Sequence, residues 1–196
     1  MNLSIADTVA NVIKARRTIK PGAMNAQIIP NETIETLLEL AHWAPTHAKT
    51  EPWRFFVYTG AGLQQFCLDH AEMYKQSVSE DLFMQNKYDG FLNQYKTVSH
   101  LVIAVMKRTP MAKIPMLEEY AAVSAAVQNI LLAATAMDIA NFWCTGGMAL
   151  KPEMKAFLGL TEEDEVVGML YLGKTDQEAK EGTRNATVAT KTVWSK

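Results

Sequence analysis

Ile5, Val9, Val12 and Ile13 recur at the three-to-four-residue interval that places them on one side of a helix. Ser4 can cap that helix, with Asp7 three residues on as a weak capping box. The pattern runs out in ARRTIKPG and resumes near Asn31, where Ile34, Leu37, Leu38 and Ala41 form a second stripe that Pro45 ends. Residues 53–58 are a short apolar run and read as a buried strand closed by Gly60 and Gly62. Residues 63–96 read as helix with a break near Gly90. LVIAVM, residues 101–106, is a second buried strand. Residues 118–138 make the longest helix. It is rich in alanine and apolar nearly all round, which places it at the centre of the fold or in a subunit interface. IANFWC is a third strand that enters the turn TGG. Residues 151–158 are a short helix with Pro152 in its first turn, and VVGMLYL, residues 166–172, is a fourth strand interrupted by Gly168.

These elements describe one α+β domain over residues 1–196, with a small sheet, much helix, and no internal repeat or linker. The tail, residues 174–196, is polar and aperiodic yet carries Val193 and Trp194 near its end. A free tail has no reason to carry such residues, so the tail reads as an arm that packs on a partner subunit, with a disordered extension as the alternative. The large helical share is hard to bury in a lone monomer.

Composition narrows the function classes. A chain of 196 residues, 48% hydrophobic and 20% charged, suffices for one domain with a substantial core. The net charge of −2 gives no basic signature for nucleic acid or for an anionic membrane surface. Cys67 and Cys144 form neither a CxxC pair nor a zinc spacing, and so sparse a cysteine content fits a reducing cytoplasm. The N-terminal residues lack the continuous apolar core of a secretory signal, and no apolar run is long enough to span a bilayer.

Three stretches carry candidate chemistry. In RRTIK, Arg16 and Arg17 beside the hydroxyl of Thr18 offer fork-shaped donors suited to a phosphate, and Lys20 is a separate point charge. The two arginines also suit a helix end, where cations meet the negative pole of the dipole. In WCTGG, a strand runs into Thr145, Gly146 and Gly147, where backbone amides can approach a flat ligand closely. The third stretch, APTHAKTEPW, has two prolines, two threonines, a histidine, a lysine and a glutamate but no glycine, which is much specific chemistry for a connector. There is no dinucleotide fingerprint, P-loop, nucleophile elbow or HExxH helix. His42, His47, His70 and His100 are scattered, and Cys144 reads as an inert cysteine after an aromatic strand.

In their order along the chain, RRTIK, APTHAKTEPWRFFV, AAVSAAVQNILLAA running into FWCTGG, and the late VVGMLYLG resemble the nitroreductase family, the FMN-dependent NAD(P)H oxidoreductases, and most closely its short-chain branch. The resemblance spans roughly residues 9–173. It implies an α+β fold with a small mixed sheet flanked by helices, assembled as an intertwined homodimer with FMN at the subunit interface. NADPH or NADH is then the hydride donor, and a nitroaromatic, a quinone or a similar small molecule is the acceptor in a ping-pong scheme. By the same resemblance Arg16, Arg17 and Thr18 hold the FMN phosphate and ribityl chain, and Lys20 reaches the pyrimidine edge. Trp43, Thr46 and His47 meet the flavin from the other subunit. Thr145, Gly146 and Gly147 form the turn that offers a backbone N–H to flavin N5. No protein group is required as a catalytic acid or base, because the flavin carries the chemistry. Cys144 and Glu51 depart from the family pattern, at positions where relatives often have a basic residue and a glutamine. Lys174, Lys180 and Arg184 are the late cations available to a phosphate. The rival readings are a flavin carrier or redox sensor with little turnover, and an interaction protein that has lost the cofactor.

Overall fold

The computed structural model describes residues 4–110, 113–178 and 180–195. Helix α1 (Ile5–Ala15) starts at Ser4, whose Oγ accepts the amide of Asp7 at 3.1 Å and donates to the Asp7 carboxylate at 2.7 Å. Helix α2 (Asn31–His42) turns Ile34, Leu37 and Ala41 inward. The chain then alternates through β1 (Trp53–Thr59), α3 (Gly60–Ser77), α4 (Gln85–Leu92), β2 (His100–Met106), α5 (Met116–Ala136), β3 (Ala140–Cys144), α6 (Pro152–Phe157) and β4 (Glu165–Gly173).

The sheet order is β1-β2-β4-β3, and every hydrogen-bonded pair among the described residues is antiparallel rather than mixed. Strands β2 and β3 do run the same way, joined through α5, but β4 inserts between them and pairs antiparallel with each. All seven residues of β2 are buried, because both of its faces are covered. Val102, Ala104 and Met106 pack with α2 and α5, while Leu101, Ile103 and Val105 pack with Leu63 and Phe66 of α3. This alternation is the two-residue period of a strand with a helical layer on each side.

Gly60 closes β1 as read, and with φ +52° it is the corner at which β1 passes directly into α3. Two features differ from those read in the sequence. The helical break falls at residues 78–84 and not at Gly90, which lies inside α4 on an open surface. The hydroxyl of Ser77 bonds the carbonyl of Met73 and the carboxylate of Glu153, and Val78 then turns extended. Gly168 does not interrupt β4 but marks a bulge, since Ala104 pairs with Gly168 and Val105 with Val166. A Cβ on Gly168 would lie 2.2 Å from Nε1 of Trp143, which donates to the carbonyl of Val167 at 3.2 Å.

A buried polar clamp fastens the chain leaving β2. Arg108 pairs with the buried carboxylate of Glu119 on α5 and donates to the carbonyl of Ile114 at 2.7 Å. Asp164, just before β4, accepts the amides of Arg108 and Thr161 at 2.9 Å each and the ammonium of Lys107 at 3.2 Å. Burial alone would raise the Asp164 pKa, but these donors outweigh it and hold the carboxyl down at about 2.

Helix α1 has the apolar face expected of it, and the described residues leave most of that face uncovered: Val12 is half-buried, but Ile5, Val9 and Ile13 are 85%, 52% and 51% exposed. Val193 and Trp194 of the tail are likewise exposed. No helix among the described residues is long and apolar enough to cross a membrane.

Candidate functional site

Where α1 ends, the chain turns extended and runs beside β3. The amide of Ile19 donates to the carbonyl of Asn141 at 3.0 Å, which fixes residues 16–20 at the outer edge of the sheet. Pro21 then starts a single 3-10 turn, Pro21–Ala23. The chain after β4 returns over this segment. Thr175 donates to the carbonyl of Ala23 at 2.6 Å, and Asn25 donates to Asp176 at 2.8 Å. The Nε of Arg17 donates to the carbonyl of Lys180 at 2.6 Å.

A cavity of about 310 Å³ lies between the two strands of chain, with Arg17, Thr18, Ile19 and Lys20 on one side and Gln177 and Lys180 on the other. Glu178 also lines it. The Nη1 of Arg17 donates to the carbonyls of Lys14 and Arg16 at 2.6 and 2.9 Å, so Nε and Nη1 of this guanidinium are taken by backbone oxygens. Arg16 and Lys20 make no side-chain hydrogen bond or ion pair with the described residues, and their donors remain available to an anion. Of the three late cations, Lys180 lines the cavity. Lys174 instead donates to the carbonyls of Met137 and Asp138 after α5, and Arg184 donates to the carbonyl of Thr183.

At the far end of β3 the turn of Thr145, Gly146 and Gly147 opens to the surface, roughly 13 Å from Asn141 at 3.3 Å per residue. The Gly146 amide donates to the Cys144 thiol at 3.3 Å. The turn is braced from α3. His70 is buried, its Nε2 accepts the Met148 amide at 3.2 Å, and its ring stacks on Phe91 with centroids 4.3 Å apart. Gly147 has φ +65°, and a Cβ there would lie 3.0 Å from both His70 Nε2 and Phe91 Cζ. Burial, aided by the charge of Lys87, pushes the His70 pKa down to about 4, so the imidazole is neutral at pH 7. Sequence reasoning passed over His70 as one of four scattered histidines. The signal was its position on the inward stripe of α3 with Leu63, Phe66, Cys67, Ala71 and Tyr74.

The loop after α2 forms a third locus. Ala48, Lys49 and Glu51 adopt φ of +49°, +55° and +45°, a left-handed geometry that costs non-glycine residues about 1–3 kcal/mol each. Pro45 and Pro52 limit the chain at either side. Inside the loop, the Thr46 hydroxyl bonds that of Thr50 at 2.8 Å and accepts the Glu51 amide at 3.3 Å. His47 Nδ1 meets the Glu118 carboxylate on α5 at 2.5 Å. Pro45, Thr46, His47, Glu118 and Ala125 border a groove of about 320 Å³. Trp43 stands 79% exposed beside it.

Within one chain, then, Arg17, Thr18 and Lys20 share a cavity, and Thr145, Gly146 and Gly147 lie at the other end of the same strand. Thr46 and His47 border a separate groove against α5, and Trp43 is exposed at the C-terminal end of α2. Among the described residues no group of three His, Cys, Asp or Glu side chains could hold a metal ion.

The model of the nitroreductase family matches residues 13–174, which contain the segment 16–20, the loop after α2 and the glycine turn, though not the late residues 175–180 on the far side of the cavity. The chain belongs to the nitroreductase family. It is 27% identical over 148 residues to YdjA of Escherichia coli K12, which carries the name of an NAD(P)H nitroreductase; the match covers 76% of this chain and 79% of that one. A nitroreductase-like family protein from Bacillus cereus superposes with a TM-score of 0.80 at 26% identity, covering 99% of this chain and 98% of the other. The fold is shared as well with the FMN-dependent nitroreductase NfnB of Mycobacterium smegmatis, solved in complex with NADPH. That superposition has a TM-score of 0.74 at 19% identity and covers 98% of this chain and all of that one.

Proposed function

We propose that this nitroreductase is an FMN-dependent oxidoreductase. Two copies build the site, NADPH or NADH delivers hydride to flavin N5, and a small nitroaromatic or quinone accepts the electrons in a second, separate step. The observation that carries this reading is the cavity beside β3. Lys20 carries uncommitted donors there, Thr18 adds a hydroxyl, and Lys180 a further cation, with Arg16 one residue before the lining segment, all at one end of a strand whose other end presents an open glycine turn. A phosphate at one end and a flat ring at the other suit these groups.

FMN, when bound, supplies the hydride-accepting centre. The remaining work falls to the chain. Arg16 and Thr18 bind the phosphate and ribityl end. Lys20 puts a positive charge where the reduced ring gathers negative charge, at N1 and O2. The turn of Thr145, Gly146 and Gly147 would offer a backbone N–H to the ring at N5, with the Gly146 amide exchanging its Cys144 Sγ contact for the ring if it is the donor. Thr46, His47 and Trp43 approach from the second copy, which explains why a single chain keeps them on a separate surface. The uncovered face of α1 and the tail residues 174–196 supply apolar area for that association, with the tail crossing its own cavity before it reaches outward.

Arg16→Ala tests the phosphate assignment: flavin content after purification should drop at least severalfold, and unchanged content would remove Arg16 from the site. Reduced protein mixed anaerobically with nitrofurazone or menadione should reoxidise far faster than with oxygen alone. An equal rate would exclude this acceptor class. A protein that binds FMN and resists reduction by both nucleotides would instead be a flavin carrier or sensor.

A further inference from the structure

His70 sits in the core of α3 with one ring nitrogen in use and one without a partner. Nε2 accepts the Met148 amide, so in the neutral ring the proton resides on Nδ1. That Nδ1 is buried and has no hydrogen-bond partner among the described residues. An apolar side chain of similar size would avoid the buried donor, so the imidazole's return must lie elsewhere. It lies in the turn. The Met148 amide hydrogen bond and the close approach at Gly147 tie the TGG segment to α3, with Phe91 stacked behind the ring as a backstop. The same turn has a competing internal contact, the Gly146 amide on Cys144 Sγ at 3.3 Å.

We infer that His70 is a positioning residue for the flavin: as the neutral Nδ1–H tautomer it fixes the Thr145–Gly147 turn, and thereby the direction of the amide offered to N5. This rests on the FMN reading of the site. An N–H aimed at N5 finds a lone pair on the oxidised ring and a hydrogen on the reduced one. Holding it in place therefore favours the oxidised form, and releasing it raises the midpoint potential.

The test compares full-length wild type with His70→Gln, which keeps an acceptor near the Nε2 position, and with His70→Leu and His70→Asn, which do not. Two readouts need no flavin. Long-range nitrogen–proton NMR of the wild type should show the Nδ1–H tautomer, and exchange of the Met148 amide should be slow in wild type and His70→Gln. It should be about tenfold or more faster in His70→Leu and His70→Asn, the loss of one buried hydrogen bond. With FMN bound, the midpoint potential should rise in the Leu and Asn variants and return toward wild type in Gln. An unchanged potential in flavin-loaded His70→Leu or His70→Asn, with the Met148 amide released, would reduce His70 to a purely structural residue. The opposite tautomer, or a Met148 amide indifferent to all three changes, would overturn the inference at its root. Failure of wild type to bind FMN would defeat the reading of the site instead, while the tautomer and exchange data still decide whether His70 holds the turn.

Discussion

Lys20 is exposed, makes no ion pair with the described residues and lines the cavity beside β3, where the proposed flavin site needs a cation. Removing that charge should make the reduced flavin less stable. Lys20→Ala should lower the midpoint potential by about 30 mV, roughly 1.4 kcal/mol for a two-electron couple; a potential that holds or rises would move Lys20 away from N1 and O2. Residues of this kind were legible in the sequence, because two arginines, a threonine and a lysine in five positions announce an anion. The use made of Arg17 was not. Its Nε and Nη1 are taken by three backbone carbonyls, one of them 163 residues away, and no local pattern encodes such a contact. His70 was hidden for the opposite reason, since a buried histidine on an apolar stripe looks like core until its amide partner is seen.

At the scale of elements, the apolar runs marked all four strands; β2 and β4 are buried nearly throughout, and such a strand has to be apolar along its length, whereas β1 was expected to be buried and is exposed at Arg54 and Val57. The breaks were less readable. Gly90 was expected to end a helix on propensity, yet on an open face glycine is merely tolerated, and the real break lies at Val78, where hydroxyl and carboxylate partners draw the chain aside. Gly168 is the reverse case. Gly168→Ala places a methyl against the Trp143 indole in a backbone that already favours glycine. It should cost about 2–3 kcal/mol in denaturant unfolding; a loss under ~0.5 kcal/mol would mean that the bulge adjusts freely.

Asp164 gives the clamp on α5 and β4 a pH signature. Its carboxyl sits at about 2 in the folded chain against an ordinary 3.8. The folded form therefore holds its charge while the unfolded form takes up a proton. The contribution is fully present above pH 3.8 and is lost as pH falls from there toward 2. It amounts to about 2 kcal/mol. Asp164→Asn should destabilise the protein at pH 7 and flatten the acid limb of its stability profile in that window. An acid limb identical to wild type would contradict this account of the clamp.

For the whole molecule, the α+β architecture followed from the order of helical and strand patterns, whereas the sheet order did not, because inserting β4 between β2 and β3 leaves no trace in periodicity. The same holds for the association of copies. The face of Ile5, Val9 and Ile13 was visible as a stripe, but only the folded chain shows that the described residues leave these three exposed. An apolar stripe left in water is an unmet hydrophobic contact, and under the proposed function a second copy of the chain is the partner that meets it. Light scattering after size exclusion should give twice the chain mass, and Val9→Lys should shift the population to monomer and lower its flavin content together. A monomeric wild type that retains FMN would refute a site built from two copies.

The most direct test of the central claim is an absorbance spectrum of the protein incubated with FMN and freed of excess, followed by anaerobic addition of NADPH and then NADH. The account predicts protein-bound flavin bands that bleach with at least one of the two. Absence of bound flavin after this treatment, or bands that both nucleotides leave intact, would contradict it.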